Sequence, residues 1–157
     1  MPKERGVEIL DYFFANDKDL YKATLAAVAQ IRKVRPVFLE RKPRAERNAF
    51  IAAGLGSPAL EVNAANLLSA WLVKTQSALL TDFLDALKVK HEKGVVENLP
   101  PTVDDASVDA ALEKLLASYP QDLVAIYLHA FNYLNAPGWE NLTLHVETDP
   151  RLSLKKA

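Results

Sequence analysis

Apolar residues return every three or four positions along most of this chain, and that spacing constrains the fold more than any other feature. Such a period puts one stripe of each segment on the buried face of a helix, whereas a half-buried strand requires strict alternation. Residue types agree with the period. Leu (24) and Ala (23) together outnumber Val plus Ile (17) by nearly three to one, and unbranched side chains keep more of their freedom in a helix than β-branched ones do. Five glycines are too few for the many tight turns of an all-β fold. The expectation is an all-α chain of about seven helices in antiparallel hairpins, as a compact bundle or a short solenoid-like stack.

Caps and prolines mark the segments. A first helix is expected from about Lys3 to Ala15, with Val7, Leu10 and Phe14 on one stripe, and a second from a cap within Asp17–Asp19 to about Val34. Proline suits the first helical turn and breaks the interior, so Pro36 and Pro43 predict a short helix at 36–42 and another from Pro43 to Ala53, stopped by Gly54-Leu55-Gly56. Ser57-Pro58 reads as a hydroxyl cap with proline at the first position. Helical pattern then runs to about Val89. At ~1.5 Å per residue that length is excessive for a small domain, so a break near Thr75-Gln76-Ser77 is expected. Gly94–Pro101 lacks a helical period. Asp104–Ser107 offers caps for the next helix, Tyr119-Pro120 separates it from its successor at 120–134, and Asn135-Ala136-Pro137-Gly138 is a turn. Residues 139–148 fit two periods. Leu142, Leu144 and Val146 alternate, while Trp139, Leu142 and Val146 follow a helical stripe; helix is preferred because a lone strand has no partner here.

Shifting the chain by 44 residues aligns two helical hairpins, near 62–88 and 106–131. Leu68, Leu72, Leu79, Leu84 and Ala86 fall on Leu112, Leu116, Leu123, Leu128 and Ala130. Two Leu- and Ala-rich amphipathic hairpins align this well without common origin, and neither carries the signature of a named repeat. With 157 residues and 17.4 kDa the chain has the usual size of one domain, so a single helical domain over 1–157 is expected.

Composition removes several classes of chemistry. With no cysteine the chain has no disulfide, iron–sulfur cluster, zinc–thiolate site or thiol nucleophile. No apolar run reaches the ~18–20 residues of a membrane span, and Met1-Pro2-Lys3-Glu4-Arg5-Gly6 leads into no uninterrupted apolar stretch of a secretory signal. A cytoplasmic protein with no membrane partner is the expectation. The net charge of −1 hides an asymmetry: residues 1–60 carry eleven basic and seven acidic side chains, residues 61–157 eight and thirteen.

Two groups of residues are candidates for chemistry. Arg32–Arg47 holds seven cations against Glu40 and Glu46. Guanidinium forks suit phosphate or carboxylate, so Arg41, Arg44 and Arg47 are the anion-binding candidates, with Phe38 or Phe50 available to stack on bases. A solvated helix face explains the same run, and a pI near 6.3 is low for a dedicated nucleic-acid binder. Asp82 and Asp85 share a helix face, and with His91 they are the candidate ligands for a divalent metal; the polar side of an amphipathic helix also explains both aspartates. Gly54-Leu55-Gly56-Ser57-Pro58 has neither the dinucleotide fingerprint nor the P-loop ending. His129 and His145 are expected to pair with neighbours, Asn63 and Asn66 to cap or bridge helices, and Trp139 to anchor the tail. No complete catalytic constellation is present, and no cofactor is expected. The sequence thus favours a non-enzymatic interaction module whose partner is another protein or a second copy. Nucleic-acid or polyanion binding through 32–47 comes next, and a small metal-dependent enzyme using Asp82, Asp85 and His91 third.

Overall fold

A computed structural model describes residues 1–135 and 138–154. Among them are nine α-helices and two 3₁₀ turns, and no strand. The fold is all-α, as the period predicts. In order the helices are α1 (Lys3–Asn16), α2 (Lys18–Ile31), α3 (Pro36–Glu40), α4 (Arg44–Leu55), α5 (Glu61–Thr75), α6 (Ser77–Ala86), α7 (Asp105–Ser118), α8 (Gln121–Leu134) and α9 (Glu140–Thr148). The chain divides into two compact units, Met1–Leu67 and Leu68–Ala157.

In the first unit α1, α2 and α4 pack pairwise, and α3 rests on α2. Ile9, Leu10, Phe13, Leu25, Val28 and Ile51 form the core. Asp17 caps α2 by accepting the Leu20 N–H at 3.1 Å. That helix ends at Ile31, short of the expected Val34, because Lys33 takes the left-handed conformation (φ 55°) that usually calls for glycine. Lys33 N–H then donates to Gln30 O and Val34 N–H to Ala29 O, so the last carbonyls are satisfied although the sequence offers no stop signal.

The glycine pair after Ala53 works differently from the expectation. Gly54 lies inside α4 rather than ending it, and Gly56 is the C-cap. A Cβ on Gly54 would collide with Cγ1 of the fully buried Val28, so this glycine lets α4 approach α2. Gly54→Ala is therefore expected to lower stability by about 1–3 kcal/mol, the usual cost of overpacking, despite alanine's better helix propensity. Adding Val28→Ala should recover part of that loss; chemical denaturation of both single variants and the double variant measures the coupling. Ser57 makes no side-chain cap bond, and Pro58–Leu60 is a 3₁₀ turn before α5.

In the second unit α6 packs on α7, and α8 contacts α7, α9 and the 3₁₀ turn Pro150–Leu152. The break between α5 and α6 falls at Gln76, and that between α7 and α8 at Tyr119-Pro120. Gln76 and Pro120, 44 residues apart, thus hold the same place before α6 and α8. Leu79, Leu80, Phe83 and Leu84 on α6 are buried, as are Leu123, Val124, Tyr127 and Leu128 on α8. Phe83 meets Tyr127 and Phe131 edge-on, each with ring centroids 5.5 Å away, and Phe131 lies 5.5 Å from Trp139.

Asp104 caps α7, accepting from Ser107 N–H and hydroxyl, which lowers its pKa. The tail is helical: Leu142 and Val146 are buried while Leu144 is exposed, the opposite of what strand alternation requires. Trp139 is buried and donates its indole N–H to Pro100 O at 2.8 Å, anchoring the start of α9. Of the expected turn at 135–138, residues 136 and 137 lie outside the described residues; Gly138 has φ 64°.

Arg151 closes this unit. Its guanidinium forks onto Glu113 of α7 (2.7 and 3.1 Å) and onto Asp149 (2.8 Å). Hydrogen bonds from Arg151 lower both carboxyl pKa values. A depressed carboxylate pKa stabilises the fold above the ordinary value and loses that contribution as pH falls through the depressed one. The thermal midpoint is therefore expected to fall as pH drops below about 4, and less steeply in Arg151→Ala. Parallel acid profiles would contradict the assignment. Arg151 and Glu113 are exposed, with Asp149 the more sheltered partner, so the difference will be small.

Candidate functional site

Seven cations between Arg32 and Arg47 meet different fates in the first unit. Arg47 is absorbed into the fold: its Nε donates to the Tyr21 hydroxyl (2.8 Å), a terminal nitrogen donates to Glu40 O (3.2 Å), and the guanidinium lies over the Phe14 and Tyr21 rings. The Tyr21 hydroxyl in turn donates to Asn48 Oδ1 at 2.5 Å, and Asn48 Nδ2 donates to Asp11 at 2.9 Å. Asn48 is wholly buried, and this chain of bonds satisfies it. Burial raises the Tyr21 pKa, against the opposing pull of Arg47.

Arg44 pairs with Asp11 at 3.2 Å and stacks over Phe14. Arg44 and Arg47 therefore share one ring, and both serve the packing of α4 on α1. Arg41, third of the anion-binding candidates, is exposed at the C-cap of α3. The structure ties two of the three to Asp11, Phe14 and Tyr21, with Arg44 still exposed and Arg47 half-buried, and places Arg41 apart from them on α3.

What surrounds Arg41 is distinctive. Pro36 opens α3 with a pre-set backbone angle, and the helix lasts five residues, enough to bury Leu39 alone. The adjacent Val37 (48% exposed) and Phe38 (54% exposed) are thereby turned to solvent, and Ile31 at the end of α2 is exposed as well. Arg32, Lys33, Arg35 and Arg41 are exposed along the same segment. Lys42 Nζ lies 5.1 Å from the Phe38 ring centroid, and the Arg32 guanidinium 6.0 Å from that of Phe50. A large aromatic held in water among cations is equipped for apolar contact and for attraction of negative charge. The sequence placed Phe38 in the basic run as a stacking residue. It could not show that Phe38 is exposed with Val37, because a Val-Phe-Leu run reads equally well as core.

The metal candidates separate. His91 Nδ1 accepts the Gly94 N–H at 3.1 Å, so its proton sits on Nε2, which donates to Asp85 at 2.7 Å. That pair fastens the turn closed by the Glu92–Val95 bridge. Asp82 instead accepts from the Tyr119 hydroxyl at 2.6 Å, tying α6 to the end of α7. This bond, with burial, pushes the Tyr119 pKa up to about 12. Among the described residues no group of three or more His, Asp and Glu is gathered to hold a metal ion. The other histidines are also engaged: His129 Nε2 with Leu152 O at 2.8 Å, and His145 Nε2 with Asp109 at 2.6 Å. Asn63 and Asn66 are exposed on α5.

Also in the second unit, a cavity of about 210 Å³ opens among α5, α6, α8 and the 94–96 loop. No single helix stripe encodes it, and periodicity gives no signal for it. Comparison with known proteins finds no family model, curated protein or solved structure that matches this chain.

Proposed function

We propose that this chain is a non-enzymatic, cytoplasmic interaction module, and that residues 31–42 of its first unit dock an acidic protein segment carrying an apolar side chain. The observation that carries the reading is the adjacent exposure of Val37 and Phe38 among exposed Arg32, Lys33, Arg35 and Arg41. Burying Phe38 against a partner removes apolar area from water, and aromatics and arginines dominate the energy of such contacts. The surrounding cations steer an acidic partner and disfavour a basic one. Charge supports the same partner chemistry: residues 1–67 carry eleven basic and eight acidic side chains.

The test is fluorescence anisotropy of the full chain with three labelled probes at low and moderate salt. One is a Glu-rich amphipathic peptide bearing Leu and Phe, one is polyglutamate, and one is a twenty-nucleotide oligothymidylate. The peptide is expected to bind about tenfold or more tightly than polyglutamate, since one buried aromatic supplies at least that factor. Tighter binding of the oligonucleotide, with affinity falling steeply with salt, would replace this reading with polyanion binding. A concentration-dependent dimer in native mass spectrometry, abolished by Phe38→Ala, would identify a second copy as the partner instead.

A further inference from the structure

The chain has three histidines, and taking up a proton breaks a bond at one of them. His129 Nε2 faces the Leu152 carbonyl and His145 Nε2 the Asp109 carboxylate. Both partners are acceptors, so an imidazolium keeps either bond. His91 is engaged through both ring nitrogens: Nε2 donates to Asp85 at 2.7 Å, and Nδ1 accepts the Gly94 N–H at 3.1 Å. An imidazolium donates from both nitrogens and accepts at neither. A charged His91 therefore keeps Asp85 and must release Gly94.

We propose that His91 is a proton-operated latch: neutral, it holds the 92–96 loop against α6, and charged, it lets that loop swing away and uncover the apolar floor of the pocket beside it.

The segment held by the latch is built to move as one piece. Glu92 N–H donates to Val95 O at 2.8 Å and Val95 N–H to Glu92 O at 2.9 Å. Between them Lys93 (φ 50°) and Gly94 (φ 86°) are both left-handed, the backbone of a two-residue hairpin turn. Neither bond involves the imidazole, so the turn persists when the ring lets go. Its seat is Leu80: a Cβ on Gly94 would lie 2.7 Å from Leu80 Cβ. Gly94, Val95 and Val96 form one wall of the half-open pocket, with Leu72, Leu80 and Phe131 among the others. Val95 is already 49% exposed whereas Leu80 is 4% exposed. Little apolar burial thus restrains the tip, and its departure turns Leu80 to solvent.

Among the described residues, Asp85 of α6 is the charged group paired with the ring. Lys90, Glu92 and Lys93, next to His91 in the chain, are exposed, and Asp82 on the same helix is taken by the Tyr119 hydroxyl. Asp85 accepts from Nε2 in either charge state, so it does not oppose opening. The His91 side chain is only 13% exposed, and two donors facing each other in such a place leave an unmade bond that is costly. Histidine is the side chain that ordinarily changes charge between pH 5 and 8, so the latch answers to mild acid.

The test is amide hydrogen exchange of the full chain, read by NMR at about pH 8 and about pH 5 and corrected for the intrinsic pH dependence of exchange. Protection of the Gly94 amide is expected to fall about tenfold in acid, the worth of one hydrogen bond, while amides within α7 and α8 keep theirs. His91→Asn retains an acceptor near the Nδ1 position but takes up no proton, so Gly94 should stay protected at both values. His91→Ala has no acceptor and should be unprotected at both. His129→Gln and His145→Gln should leave the acid response of Gly94 unchanged. Full protection of Gly94 in acid in the wild type, or an acid-induced loss that persists in His91→Asn, would overturn the proposal.

Discussion

Phe83→Ala will destabilise the second unit by about 3–5 kcal/mol, the range for removing a fully buried phenylalanine. Phe83 has no exposed surface, and its ring is the one that meets both Tyr127 and Phe131 edge-on. Truncation therefore removes transfer energy, two oriented ring contacts and the packing that fixes the Tyr127 ring. The void cannot close easily, because Leu79, Leu84, Val124 and Leu128 around this stripe are themselves buried and α6 has only ten residues in which to shift. Domains of this size are stable by roughly 5–15 kcal/mol in total, so the variant will unfold at a much lower denaturant midpoint or fail to accumulate. Phe83→Leu, which keeps most of the volume, should cost well under half as much. Equal losses for the two variants in urea titrations would mean that this ring cluster is not the centre of the unit.

Phe38→Ala will have the opposite profile. The ring is more than half exposed and its packing partner is the Lys42 side chain, so truncation should change stability by no more than ~0.5 kcal/mol. Affinity for the acidic amphipathic peptide should nevertheless fall about tenfold or more, because an aromatic at the centre of a small interface carries most of its energy. Arg35→Glu with Arg41→Glu should act mainly on the association rate and on its salt dependence. The two effects separate the apolar centre from the charged rim. If Phe38→Ala keeps full affinity while the charge reversals abolish it, the surface recognises negative charge alone.

Helices were readable from the sequence where composition and caps agreed. Asp17 and Asp104 both cap the helices they precede, and the Gln76 break lies where length alone demanded one. Helix ends were misread where lysine fills a glycine's place. Lys88 repeats the solution of Lys33, with φ 56° and Val89 N–H donating to Leu84 O, so α6 stops at Ala86 rather than near Val89. Gly54 misled in the other direction: glycine marks a helix stop by local rules, but here its missing side chain serves a tertiary approach to Val28.

Site residues were less readable, for a physical reason. Arg44, Arg47 and Arg41 look alike in a charge run, yet Asp11, Phe14 and Tyr21, distant in sequence, engage the first two, whereas Arg41 stands at the C-cap of α3. Asp82 and Asp85 share a helix face by spacing, but Tyr119 and His91 engage them separately. The pocket beside the 94–96 loop needs three helices and that loop at once, and no periodicity along one segment carries that information.

The most direct measurement of the central claim is a ¹H–¹⁵N NMR titration of the full chain with the Glu-rich amphipathic peptide. Docking at α3 predicts amide shifts concentrated in residues 31–42, with Val37, Phe38 and Arg41 moving most and the 68–154 amides nearly still. Shifts centred in the second unit, or none at millimolar peptide, would contradict it.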